Sequence, residues 1–183
     1  MWLILLLLLA LGPPGLLEMG QIKLNQIESG HLPAGAAVVF SAAELEAVAR
    51  QEAADYGKGS IRRVQLNLWA GHAGITAQVD LVRLAQMRGR PMHPLLARML
   101  SGERQISAVL RLETVRGNAL VNLERLEVDG NVLEGRPLDL LIHQFVTNEF
   151  PDARLDQWFA MEYKIDTITL WRGQAVVTLR GRH

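Results

Sequence analysis

The chain has 183 residues, 49% of them apolar, with Lys+Arg and Asp+Glu both at 19 and no cysteine. That length fits a single domain with a sizeable core, and the balanced charge argues against a nucleic-acid partner, which calls for a basic excess. The missing cysteines exclude disulfide frameworks, thiolate metal sites, cysteine nucleophiles and lipid attachment through an N-terminal cysteine.

Residues 1–17, "MWLILLLLLALGPPGLL", are different material from the rest. Leu3 to Leu11 is an unbroken apolar run, as long as a signal-peptide core and too short to span a bilayer as a helix. It predicts a signal peptide or short membrane anchor. The domain is then exported and works in the periplasm or elsewhere outside the cytoplasm, held to the inner membrane if the segment stays uncleaved. The run departs from an ordinary signal in having no Lys or Arg before it, and Pro13 follows the best small-residue pair, Ala10 and Gly12. Residues 18–37, with Gly20, Gly30, Pro33 and Gly35, read as a tether or irregular lead-in, and 38–183 as one domain.

"SAAELEAVARQEAADYGKG" predicts a helix. Ser41 and Glu44 form a capping box, Ala42, Leu45, Val48 and Ala49 make a narrow apolar stripe, and Gly57 and Gly59 end it. From residue 61 the period becomes two. Val64, Leu66 and Leu68 alternate with polar residues, "AGHAG" turns the chain, and Ile75, Ala77, Val79 and Leu81 answer. A second hairpin spans about 104–129, with Ile106, Ala108, Leu110 and Leu112 before "RGN" and Ala119, Val121 and Leu123 after it. There the alternation slips at Glu124-Arg125 and resumes at Leu126 and Val128, which is what a β-bulge produces. A third hairpin has Tyr163 and Ile165, a slip near Asp166-Thr167, Ile168 and Leu170, a turn at "RGQ", then Val177 and Leu179.

Two apolar helical segments lie between the hairpins. "PMHPLLARML" (91–100) reads as a short helix ended by Ser101-Gly102. The other starts at Gly135, has Pro137 in its first turn, and runs 137–149 to Phe150-Pro151, with Leu138, Leu141, Ile142, Phe145 and Val146 on one face. Hairpins punctuated by helices indicate an α+β fold, with a strongly curved antiparallel sheet of about six strands.

Catalytic signatures are sparse. His31, His72, His93, His143 and His183 have no zinc-binding spacing, no serine sits in a nucleophile elbow, and "YGKGS" (56–60) lacks the spacing of a phosphate loop. No catalytic, metal or cofactor set is predicted. Arg83, Arg88, Arg90, Arg98 and Arg104 stand against Glu103 alone, among Leu95, Leu96 and Met99. Basic residues beside an apolar short helix suit an anionic membrane surface, with Arg88, Arg90 and Arg98 on lipid headgroups. "NEFPDARLDQWFAMEY" gathers Phe150, Trp158, Phe159 and Tyr163, aromatic side chains suited to the rim of an apolar cavity.

The opening helix "SAAELEAVARQ", the stretch Leu126–Phe145, and "YKIDTITLWRGQAVVTLRG" (163–181) with its counterpart "kidsitv-x-x-G-x-vvvt", resemble bacterial LmeA-like proteins. These are exported phospholipid-binding domains related to the tubular lipid-binding (TULIP) superfamily. The likeness covers residues 41–180 as pattern and order. It departs before the helix, where "EGRP" replaces a turn rich in glycine and proline, and it carries over no individual binding residue. It implies that this sheet wraps around the long amphipathic helix at 137–149 and leaves an apolar groove for acyl chains, lined here by Leu138, Leu141, Ile142, Phe145, Val146, Trp158 and Phe159. The expected activity is non-catalytic binding of a phospholipid or other acyl-chain lipid, serving envelope lipid transport or homeostasis. Two other classes compete: an exported adaptor acting through a protein partner, and a hydrolase using a carboxylate pair among Asp152, Asp156 and Asp166.

Overall fold

The computed structural model describes residues 15–147 and 155–181, and its first element is one that the glycines conceal. Where 18–37 reads as a tether, a helix α1 (Leu16–Glu28) forms. Gly20 is buried in it because α1 crosses α2 (Ala42–Gly57) at close range. A Cβ at position 20 would sit 2.7 Å from Val48 Cγ2 and 3.2 Å from the Glu44 carbonyl oxygen. Glycine costs a helix interior about 1 kcal/mol relative to alanine; at this crossing it is the residue that fits. The strand β1 (Ala37–Ser41) then leads straight into α2. The capping box holds as expected: the Ser41 hydroxyl accepts from Glu44 N–H at 3.2 Å, and the Glu44 carboxylate accepts from Ser41 N–H at 2.7 Å.

All three hairpins form, with two-residue turns. They are β2 (Ile61–Trp69) with β3 (His72–Asp80), β4 (Glu103–Val115) with β5 (Asn118–Val128), and β8 (Ile165–Trp171) with β9 (Gln174–Leu179). The first turn is narrower than "AGHAG", since His72 already pairs with Trp69. Every pairing between these strands is antiparallel, and the fold is α+β. The strands do not share one sheet, however. The order β2-β3-β4-β5 continues to the short β6 (Asn131–Val132), and β7 (Trp158–Ala160) joins the other end of β5, making six strands. The last hairpin leaves this sheet and pairs with β1 as β1-β9-β8. β1 escapes a pattern reading because five residues before a helix show too little alternation.

Both parity slips are bulges. Arg125 faces Val109 and Leu123 faces Leu110, leaving Glu124 as the extra residue; Ile165 faces Leu179 and Thr167 faces Thr178, leaving Asp166. A third, unforeseen, lies between Arg62 and Gln65, where Arg63 adopts φ 51°. Bulges bend the strands that carry them.

The connecting helices are short. α3 (Leu81–Met87) starts at Asp80, whose carboxylate accepts from Arg83 N–H, so Leu81 begins a helix and does not end a strand. α4 (Pro94–Met99) is the helix expected within 91–100. The long helix expected at 137–149 is corrected: after the Gly135 cap, α5 (Arg136–Ile142) makes two turns and relaxes into a π turn at His143–Thr147. Its expected end at Phe150-Pro151 lies outside the described residues. Among the described residues the longest helix is α2. One core cluster gathers α3, α4 and α5 on the six-stranded sheet around Leu84, Leu96, Leu126 and Leu141.

Gly20→Val should force α1 off α2. The expected loss is about 1–3 kcal/mol, typical of inserting methyls into a packed contact, seen as a lower thermal midpoint. An unchanged midpoint would mean that the crossing is looser than described.

Candidate functional site

The two sheets are stitched at one end by backbone groups of their hairpin turns. Gly71 N–H donates to the Leu170 carbonyl at 3.1 Å, Gly173 N–H to Leu68 at 3.0 Å and Gly117 N–H to Asp166 at 2.8 Å. The Thr114 hydroxyl donates to the Ile168 carbonyl and accepts from its N–H, both at 3.0 Å. β8 thereby touches β2, β3, β4 and β5 in turn. Beyond this seam the sheets part, and α1 packs on the small sheet beside the gap.

The space between them is a cavity of about 570 Å³. Its floor is the even-numbered, inward face of β2 and β4 (Leu66, Leu68, Leu110, Leu112) with Ala73 and Val121. The small sheet adds Phe40, Ile168, Leu170 and Val177, while α1 adds Leu24 and Ile27. Of the lining residues only Glu28 and Tyr163 carry a polar side-chain group. A second cavity, about 430 Å³, lies towards the other end between Ala53 and Tyr56 of α2, Val79, Leu81, Leu84, Leu141 and Phe145. Ile75 stands on the same sheet face as Ala73 and Val79, paired with Leu66 and Ala108, and is 38% exposed. The floor is therefore apolar along its length and uncovered in the middle.

α2 leaves it uncovered because it is fastened to the sheet's edge. Glu46 accepts from Leu66 N–H at 2.8 Å, and Arg50 Nε donates to the Val64 carbonyl at 2.9 Å, so side chains of α2 satisfy backbone groups of the edge strand β2.

α1 is fastened by one cation. Lys23 Nζ reaches both Glu44 carboxylate oxygens, at 2.7 and 2.8 Å, and the Val39 carbonyl at 2.8 Å. Glu44 is 3% exposed. Burial alone would raise its carboxyl, but the hydrogen bonds from Lys23 and Ser41 outweigh that and hold it below the ordinary value of 4.5.

The residues expected to form a groove divide. Leu141 and Phe145 line the second cavity, and Leu138 packs on the core beside them. Ile142 and Val146 are half-buried on the same segment, while Trp158 is 51% exposed on β7 and Phe159 half-buried next to it. None of these four lines either cavity. Most of the larger cavity escaped the sequence reading, although its floor was visible as the alternating Leu66, Leu68, Leu110 and Leu112.

In the basic stretch, Leu96 is fully buried and cannot meet a membrane, which corrects its expected role. Leu95 and Met99 are each 42% exposed on the same short helix as the exposed Arg98. The Arg88 guanidinium stacks 3.6 Å over the Tyr56 ring, and the Arg90 carbonyl accepts from Gln144. Arg104 pairs with Asp129, whose carboxyl is lowered first by the Gln105 N–H and then by Arg104 itself.

Of the three carboxylates, Asp152 lies outside the described residues. Asp156 accepts from Asn122 at 2.7 Å, and Asp166 is the bulge residue of β8. Among the described residues no group of three His, Asp or Glu could hold a metal ion, and no helix is long and apolar enough to cross a membrane. No protein-family model matches the chain, and no match is found among curated proteins.

Because the folded Glu44 carboxyl is lowered, its contribution to stability is present above the ordinary value of 4.5 and is lost as pH falls through the folded value. Glu44→Gln cannot titrate. Between about pH 5 and pH 3 the parent should lose more thermal stability than this variant. Equal losses would show that the Lys23–Glu44 pair does not hold α1.

Proposed function

We propose that this is an exported, non-catalytic domain that holds an acyl chain of a phospholipid or other lipid in the groove between its two sheets, for lipid transport or homeostasis in the envelope. The observation that carries this is the larger cavity, about 570 Å³ with an almost wholly apolar lining. Ligand pockets fall in the range of roughly 300–1,000 Å³. Water would find few polar partners there. An acyl chain suits it, gaining about 0.8 kcal/mol per buried CH₂.

In this reading the bulges at Glu124, Asp166 and Arg63 curve the sheets around the ligand, α1 and α2 flank it, and α5 closes the second cavity; an LmeA-like, tubular lipid-binding relationship would share with this the apolar groove beside bent antiparallel strands. Arg88, Arg90 and Arg98, with the exposed Leu95 and Met99, supply the approach to an anionic membrane surface. The apolar run Leu3–Leu11 delivers the chain across the inner membrane.

Native mass spectrometry of the purified chain, with lipid extraction, should find co-purified lipid. Ala73→Phe places a ring in the groove and should fold with a near-parental thermal midpoint while expelling that lipid. A lipid-free parent, or Ala73→Phe retaining as much lipid as the parent, would count against the groove.

A C-terminal reporter active only in the periplasm should be active on the full chain; activity confined to a cytoplasmic reporter would overturn export.

A further inference from the structure

At the rim of the larger cavity the chain places two left-handed residues that are neither glycine nor asparagine. The turn at 162–165 is closed by Ile165 N–H to the Glu162 carbonyl at 3.1 Å, with Tyr163 at φ 53° and Lys164 at φ 58°. Two-residue turns with both central φ values positive strongly prefer Asn-Gly or Asp-Gly, so Tyr-Lys is a strained choice that presents two side chains. Strain of this kind concentrates at ligand sites.

Tyr163 is 48% exposed and lines two spaces at once, the large apolar cavity and a small one of about 60 Å³. The small one is walled by Lys164, Arg180, Leu179 and the loop carrying Gly30, Leu32 and Ala34. Arg180 is set in place by backbone: it donates to the Ile165 carbonyl at 3.3 Å and the Met161 carbonyl at 3.5 Å, and it lies where a Cβ on Gly117 would collide with it. Among the described residues neither Lys164 nor Arg180 has a carboxylate partner. Two uncompensated cations therefore border one small space, joined to the apolar groove by a ring with an apolar body and a polar tip.

We infer that this notch, formed by Lys164 and Arg180 beside Tyr163, binds an oxyanion, the phosphate of a headgroup whose acyl chain lies in the groove. The inference rests on the groove reading and adds to it a charge requirement. A phosphate there would take charge-assisted hydrogen bonds from the Lys164 ammonium and from guanidinium N–H groups of Arg180 that the carbonyls leave free. The phenol of Tyr163 lies at the boundary between chain and head.

The test uses the purified full chain and two ligands with one acyl chain each, oleoyl lysophosphatidate and monooleoylglycerol, which differ by the phosphate. Both are titrated against the neutral fluorescent probe N-phenyl-1-naphthylamine. Lys164→Asn removes the charge while keeping a residue that tolerates the left-handed turn. It should weaken lysophosphatidate roughly tenfold, the scale of one charge-assisted hydrogen bond, and leave monooleoylglycerol within about twofold. Lys164→Arg should restore the preference. Equal affinities in the parent, or equal losses for both ligands, would overturn the notch while leaving the groove intact; displacement of the probe by neither ligand would overturn both. Inorganic phosphate at matching concentration should not compete. If it bound as tightly as lysophosphatidate, the site would be one for the free anion and the headgroup assignment would fall.

Discussion

One ammonium group fastens three elements. Lys23 of α1 lies against the Glu44 carboxylate at the start of α2 and the Val39 carbonyl of β1, with its charge 5.7 Å from the Phe40 ring. Glu44 is at the same time the partner of the Ser41 cap. A buried ion pair gains little over an apolar pair, but removing one partner leaves an uncompensated charge and is severe. Here the pair's value is positional. It sets α1 against the small sheet beside the opening, where Leu24 and Ile27 become part of the groove's wall.

The groove stays unfilled for a reason that also lies in α2. A helix placed over a sheet normally buries its apolar stripe on the sheet's face. This one spends Glu46 and Arg50 on the backbone of the edge strand β2, which both protects that edge and holds the helix to the side. The residues it turns inward are small at most positions, Ala42, Ala49 and Ala53 among them, and they do not reach across the face. The exposed Ile75 on that face is the direct consequence.

The sequence carried the strands well because their pattern is local. Period two gave three hairpins, and loss of parity gave the bulges at Glu124 and Asp166. The bulge at Arg63 shows the same signature, Ile61 to Val64 in three steps, and was legible in principle. Partition into two sheets was not. Whether the last hairpin pairs with β5 or with β1 depends on hydrogen bonds between segments more than a hundred residues apart. α1 was hidden by Gly20, a helix-breaking residue whose purpose appears only when Val48 and Glu44 are in place against it. The site was half legible for a related reason. Alternation tells that a face is apolar, never whether something covers it, so the amphipathic segment at Leu141 and Phe145 drew attention while the larger cavity lay under α1.

Seen along the sheet, each end of the uncovered face finishes in a tyrosine beside a cation. Tyr56 lines the smaller cavity and carries Arg88 over its ring; Tyr163 lines the larger one next to Lys164. Their surroundings differ. Near Tyr56, α3 and α4 show Met87, Leu95 and Met99 to solvent among arginines, an apolar and basic surface of the kind that lies on anionic bilayers. Near Tyr163 the surroundings are a narrow polar notch with little exposed apolar area beyond the ring itself. A molecule built this way has direction. On the proposed lipid-binding reading, an acyl chain would pass the thioethers of one end, side chains that adapt to irregular shapes, and a charged head would sit at the end where backbone carbonyls hold Arg180. The polarity lies in the chemistry of the two ends and needs no moving part.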